Sequence, residues 1–239
     1  MSRRHKPHLR CGDCRMHRSL CICAELPRIA ARTRVLVVLH QLEVVKPTNT
    51  GIVATRCLTN SAVIYRGRAP TGVDSMPVST ALGPDIQPLL LFPHDSATPL
   101  ESWRGTDRAL ALVVPDGTWA QAARTRKRIA ELACMPCVAL PDPQVQVGRL
   151  RAPPRPGRLA TLEAIATALG ILEGPQVADA LMRVYRVMTD RTLWTNGRLS
   201  ADEVTGGIPA GVRPHDPLRK IQASLAEPDG YPASTRCTR

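Results

Sequence analysis

Aromatic residues are scarce in this 239-residue chain, with one Phe, three Tyr and three Trp. So few rings argue against the base-stacking platforms of the common single-strand-binding modules. No run approaches the roughly 20 apolar residues that cross a bilayer, so no membrane partner is expected. The basic opening Met1-Ser2-Arg3-Arg4-His5-Lys6 is followed by no apolar stretch or small-residue cleavage site. A secretory signal is therefore not expected, and the cytoplasm is the expected compartment. Acid is also in short supply. Twenty Asp+Glu face 32 Lys+Arg, a formal net charge of +12. Such an excess favours a polyanionic partner, because phosphate contacts release condensed counterions. A general bias toward arginine codons would give the same balance. With few rings to stack on, the charge points to a folded RNA gripped by its backbone.

Hydrophobic residues make up 44% of the chain, enough for one substantial core. Val35-Leu36-Val37-Val38-Leu39 is an apolar run without alternation, which suits a strand buried on both faces. Further strands are expected at 62–65, 89–92, 109–114 and 138–140, and helices at 51–59, 120–132, 161–172 and 177–192. The Pro- and Gly-rich stretch 69–88 reads as loop. Strands alternating with helices imply an α/β domain with a mainly parallel sheet and helices on both faces, its ligands at the carboxyl ends of strands. Loops 92–96, 115–119 and 140–160 fall at such ends. The expected organisation is a basic arm and metal module over 1–30, a catalytic domain over 31–197 and a mostly irregular tail over 198–239. A monomer is favoured.

Four cysteines crowd into thirteen residues as Cys11-x2-Cys14-x6-Cys21-x-Cys23. In a reducing compartment such a set reads as metal ligands, and four thiolates suit a structural zinc. An iron–sulfur cluster or redox-active thiols are the alternatives, and the tight Cys-x-Cys half departs from the common knuckle. Arg10, Arg15, His17 and Arg18 would make the module a plausible RNA contact. Cys134-Met135-Pro136-Cys137 has no second half nearby and reads as helix-end thiols, and Cys57 as core.

Pro115-Asp116-Gly117-Thr118-Trp119 follows directly on the expected strand 109–114. Gly117 tolerates backbone angles that other residues resist, and Thr118 can cap the next helix. Asp116 then stands at a strand's carboxyl end. The segment resembles the D-x-T-W signature of the DTW-domain family. Other elements follow in the family's order: the Cys11/Cys14/Cys21/Cys23 cluster, His40-x2-Glu43, Thr48-Asn49-Thr50-Gly51, Leu91-Phe92-Pro93, Arg149-Leu150-Arg151, and Leu159-Ala160-Thr161-Leu162-Glu163-Ala164. Three residues depart from the pattern: Pro115 for an aliphatic residue, Gly148 for an aromatic, and Ala160 for a common Ser.

The resemblance implies a tRNA-uridine aminocarboxypropyltransferase. It would transfer the 3-amino-3-carboxypropyl group of S-adenosylmethionine to uridine N3 and release methylthioadenosine. It also implies a SPOUT-like α/β fold with a knotted C-terminal half. In that frame Asp116, Thr118 and Trp119 are the expected catalytic residues, with Asp116 as general base toward N3. Leu91, Phe92, Pro93, Gly117, Trp119, Leu140, Pro141, Leu159, Ala160, Thr161 and Glu163 are expected around the cofactor. Lys46, Arg124, Lys127, Arg128, Arg149 and Arg151 are expected to contact RNA. Two rivals share much of this pattern: a SPOUT-type RNA methyltransferase, and a non-catalytic zinc-containing RNA-binding protein.

Overall fold

The computed structural model describes residues 7–44, 46, 49–67, 76–141 and 159–212. The expected RNA contacts Arg149 and Arg151, the substituted Gly148 and the tail beyond 212 lie outside these residues.

The strands are β1 (Arg34–His40), β2 (Ser61–Arg66), β3 (Gln87–Leu91), β4 (Thr98–Pro99), β5 (Leu110–Asp116) and β6 (Cys137–Ala139). They form one parallel sheet in the order β2-β1-β5-β3-β6-β4. The helices are α1 (Thr50–Cys57), α2 (Val78–Leu82), α3 (Trp119–Arg128), α4 (Ala130–Ala133), α5 (Thr161–Glu173) and α6 (Pro175–Thr195).

Alternate residues of the apolar strands feed two cores. Val35, Val37, Leu39, Leu112 and Val114 face α1, α5 and α6 on one side. Leu36, Val38, Ala111 and Val113 join α2 and Leu132 on the other. Both faces are covered, which is why these strands carry no polar alternation. α5 and α6 approach so closely that a Cβ on Gly170 would stand 2.9 Å from Ala178 Cβ. Pro175 opens α6 at a position where its missing N–H costs nothing.

Two elements differ from expectation. The loop assigned to 69–88 contains α2, a single short turn whose first N–H groups donate to the Glu131 carboxylate at 3.1 and 2.9 Å. No local cap announces it. The helix expected over 120–132 is interrupted at Ile129, which takes an extended backbone and packs its side chain into the second core. Packing there overrides a continuous run of helix formers. Of the C-terminal half in which a knot is expected, 142–158 and the chain beyond 212 lie outside the described residues.

The cysteine-bearing N-terminus is part of the main core, since Met16, Leu20 and Ile22 are buried in the cluster that contains α6. One side chain joins three segments. Arg191 of α6, 4% exposed, donates from Nη1 to the Cys21 carbonyl at 2.9 Å, from Nη2 to Glu25 at 3.3 Å, and from Nε to the Gly207 carbonyl at 3.2 Å. The turns after α6 are thereby held down, with Val204 buried. Arg191→Leu should strand these acceptors and lower stability by about 2–3 kcal/mol, measured by urea unfolding. An unchanged unfolding midpoint would show that the three contacts contribute nothing net.

Candidate active site

The sheet order places the carboxyl ends of β5, β3 and β6 side by side, with Leu90 opposite Val113 and Leu91 opposite Val138. The Phe92 N–H donates to the Val138 carbonyl at 3.2 Å, extending this register past β3. Beyond β5 the chain turns at Gly117, and Thr118 caps α3. Its hydroxyl accepts from Gln121 N at 3.2 Å, while its own N–H donates to Gln121 Oε1 at 2.6 Å. This is a complete capping box. It fixes Trp119 as the first residue of α3, with its ring centroid 6.4 Å from that of Phe92.

Asp116 ends β5 pointing inward and is buried. Its Oδ2 accepts from Asn49 Nδ2 at 2.7 Å, and its Oδ1 from the Thr161 hydroxyl at 2.6 Å. Asn49 is the N-cap of α1, its Oδ1 accepting from Ile52 N at 2.9 Å, and Thr161 is the first residue of α5. The carboxylate therefore sits where two helices present their positive ends. The two ends also touch directly, since Leu162 N donates to the Thr50 hydroxyl at 3.2 Å. A Cβ on Gly51 would come within 2.5 Å of Asp116 Oδ2 and 3.2 Å of Val37 Cγ1. Only glycine lets the carboxylate lie against the α1 backbone.

Burial pushes the Asp116 pKa up, the hydrogen bonds from Thr161 and Asn49 oppose the rise, and the nearby Glu43 charge adds to it. Glu43 is itself buried and pairs with Lys46. Lys46, expected to contact RNA, thus has its charge engaged within the protein.

Glu163 Oε2 accepts from Ala160 N at 2.7 Å, half of a capping box. With Ala160 in place of a serine, the reciprocal hydroxyl contact is missing. Glu163 Oε1 is buried without a hydrogen-bond partner. The expected cofactor residues run from buried Leu91, through half-buried Phe92, Trp119, Leu140, Leu159, Ala160 and Thr161, to exposed Pro93 and Pro141. Adjacent strand ends and the start of α5 bring them to one edge of the sheet.

Sequence reasoning saw Asn49-Thr50-Gly51 as a helix start and a family element but did not include these residues in the site. Arg66, at the end of β2, likewise lies outside every expected site set. On α3, Arg124, Lys127 and Arg128 are exposed as expected.

The four sulfur atoms of Cys11, Cys14, Cys21 and Cys23 lie within 4.8 Å of one another, with Cys11···Cys23 at 3.5 Å and Cys14···Cys21 at 3.7 Å. A zinc tetrahedron with ordinary Zn–S bonds has edges of about 3.8 Å, so the residues fit the ion. Hydrogen bonds from Cys21 and Cys23 pull Cys14 down to about 4, while hydrogen bonding to Cys14 and Cys21 pushes Cys23 up. One thiolate is favoured, and a second is opposed until a cation joins them. His17 stays outside the set, bonded through Nδ1 to Ser19 at 2.7 Å. Among the described residues this is the one group with metal-binding geometry, so the second Cys-x2-Cys supplies no site: Cys134 is exposed and Cys137 is core.

Two predictions follow from these environments. Metal analysis should give about one zinc per chain, and a Cys11→Ser/Cys14→Ser variant should lose it; retention by that variant would exclude the cluster as ligand. The second concerns Asp116. A carboxyl whose folded-state pKa is raised favours folding most when protonated, and that contribution is lost as pH rises through the raised value. An amide does not titrate. The melting-temperature difference between Asp116→Asn and wild type should therefore move in the variant's favour between about pH 4 and neutrality, and a flat difference would show that burial does not penalise the charge.

Residues 8–193 match the DTW domain. The chain is 28% identical over 179 residues to "tRNA-uridine aminocarboxypropyltransferase 2" of Drosophila melanogaster, covering 73% of this chain and 71% of that protein. No solved structure matches. With most of its length, including the cysteine cluster and the Asp116 turn, inside the matched region, the chain belongs to the DTW-domain family.

Proposed function

We propose that this protein modifies tRNA, transferring the 3-amino-3-carboxypropyl group of S-adenosylmethionine to N3 of a uridine. The observation that carries the reading is Asp116 joining the end of β5 to the starts of α1 and α5 beside the ends of β3 and β6, in a chain similar to a protein named tRNA-uridine aminocarboxypropyltransferase 2. Bound there, S-adenosylmethionine would supply a methylene activated by its sulfonium, with methylthioadenosine as the leaving group that keeps the C–S electron pair and the uridine N3 proton passing to solvent.

The residues present suit such a cofactor. Phe92 and Trp119 offer an apolar wall against which its methyl side would be covered, leaving the larger arm aimed at the nucleophile. Backbone groups of Leu91–Pro93, Leu140–Pro141 and Leu159–Thr161 would hold the adenosyl part. Glu163 Oε1 is a buried acceptor in need of a donor, and an amino group would satisfy it. Selectivity between methyl and carboxypropyl transfer then rests on orientation.

Asp116 is assigned a positioning role in place of the proton acceptor expected from sequence. Each of its oxygens already receives a short hydrogen bond, and the group is 6% exposed. Its work is to lock the starts of α1 and α5 to the end of β5, which shapes the floor of the pocket. The SPOUT-like class with its knot, a structural zinc at the four cysteines, and a reducing cytoplasmic setting complete the proposal.

Incubation with undermodified tRNA and S-adenosylmethionine labelled in the carboxypropyl arm should move label to tRNA and release methylthioadenosine. Adenosylhomocysteine would instead mark a methyltransferase, and tRNA binding without either product a non-catalytic binder. In the same assay Asp116→Asn should keep transfer within about tenfold of wild type and preserve the pH profile of kcat. Loss of general-base catalysis would cost about 10²–10⁴ and remove one limb of that profile, and this result would restore Asp116 as the base.

A further inference from the structure

The strand that closes the sheet edge beside β1 ends in Arg66, a residue outside every motif of the family resemblance. Its neighbours are cationic. β1 and β2 pair in register so that Arg66 stands opposite His40. The Arg66 Nη1 donates to the Thr125 hydroxyl at 3.1 Å, and that hydroxyl, 1% exposed, in turn donates to the Gln121 carbonyl at 2.8 Å. A guanidinium from the sheet is thus pinned onto α3 between Arg124 and Arg128, which lie one helical turn apart and are exposed.

Three guanidinium groups gathered in this way repel one another. Burial lowers the Arg66 pKa, and the charges of Arg128 and Arg124 lower it further, so the three act on each other electrostatically. Among the described residues no carboxylate forms an ion pair with them: the pairs there join Lys46 to Glu43, Arg56 to Asp13 and Arg191 to Glu25. Glu43, whose charge reaches His40, is taken by Lys46. Burial and the neighbouring Arg66 lower the His40 pKa against the opposing charge of Glu43, which disfavours a fourth positive charge here. The like charges are held together by the sheet register and by a buried threonine, and an anion would relieve their repulsion.

We propose that Arg66, Arg124 and Arg128 form a clasp for a backbone phosphate of the RNA substrate. Guanidinium suits this task through its fixed fork of donors, which matches two phosphate oxygens at once. The clasp lies at the carboxyl edge of the sheet, on the helix that begins at Trp119, so a nucleotide held there is carried by the same element that lines the candidate pocket. This inference rests on the proposed tRNA substrate and adds to the α3 cations the member that anchors them.

The test compares tRNA affinity across a salt series for wild type, Arg66→Gln, Arg124→Gln/Arg128→Gln, and a charge-matched control on α6, Arg183→Gln/Arg186→Gln. The α3 double variant removes exposed side chains, so its fold, checked by thermal melting, should be unaffected. It should bind tRNA about tenfold more weakly, with a salt slope shallower by about 1–2, while the control stays within about twofold of wild type. S-adenosylmethionine affinity should not change in any of them. Arg66→Gln should reproduce the loss in smaller measure. Unchanged affinity and slope in the folded α3 variant, or an equal loss in the control, would overturn the clasp. If wild type binds tRNA with the expected slope and the variants lose it, yet no carboxypropyl transfer occurs, the proposed reaction fails and the clasp stands.

Discussion

The structure turns on a buried carboxylate. Asp116 stands at the end of the central strand β5, and two helices that begin far apart in the chain start against it. Burying such a group without partners would be costly, and here it receives an amide donor, a hydroxyl donor and the positive ends of two helices. The arrangement leaves a net penalty on the ionised form, as the raised pKa shows. That penalty is the cost of a fixed reference point. With it, the starts of α1 and α5 and the turn into α3 share one origin, and Trp119, Thr161 and Glu163 inherit their positions from it.

Much of this was legible in the sequence. The parallel sheet announced itself through apolar runs without alternation, because strands covered on both faces have no polar side to declare. The turn at Asp116-Gly117-Thr118-Trp119 could be placed at a strand end from strand and helix-cap signals alone. What escaped notice was reach across the chain. Asn49 reads locally as a cap for α1, and nothing nearby reveals that its amide crosses to Asp116, 67 residues later. α2 is similar: its first N–H groups are satisfied by Glu131, some fifty positions downstream. Ile129 shows the converse, a run of helix formers broken because one β-branched side chain is worth more inside the second core.

Charge is sorted by depth. The carboxylates of Asp116, Glu43 and Glu163 are buried near the pocket, each with at least one partner from the protein itself. The cations of α3 stay outside with none of these acids to pair with. A cofactor carrying positive charge and a nucleic acid carrying negative charge would therefore meet opposite environments within one site. The strong net positive charge of the sequence thus says little about the interior of the site, and much about its approach.

Arg191 carries a consequence for how the protein is made. Its contacts reach back 170 residues to the Cys21 carbonyl and 166 to Glu25. During synthesis the cysteine loop emerges well before α6, and ligands this close in sequence could gather around an ion at once. The strut that seats this loop on the core arrives only when α6 has left the ribosome. The N-terminal segment is then fastened late, and until that point an ion held by its four cysteines would be what keeps it in shape.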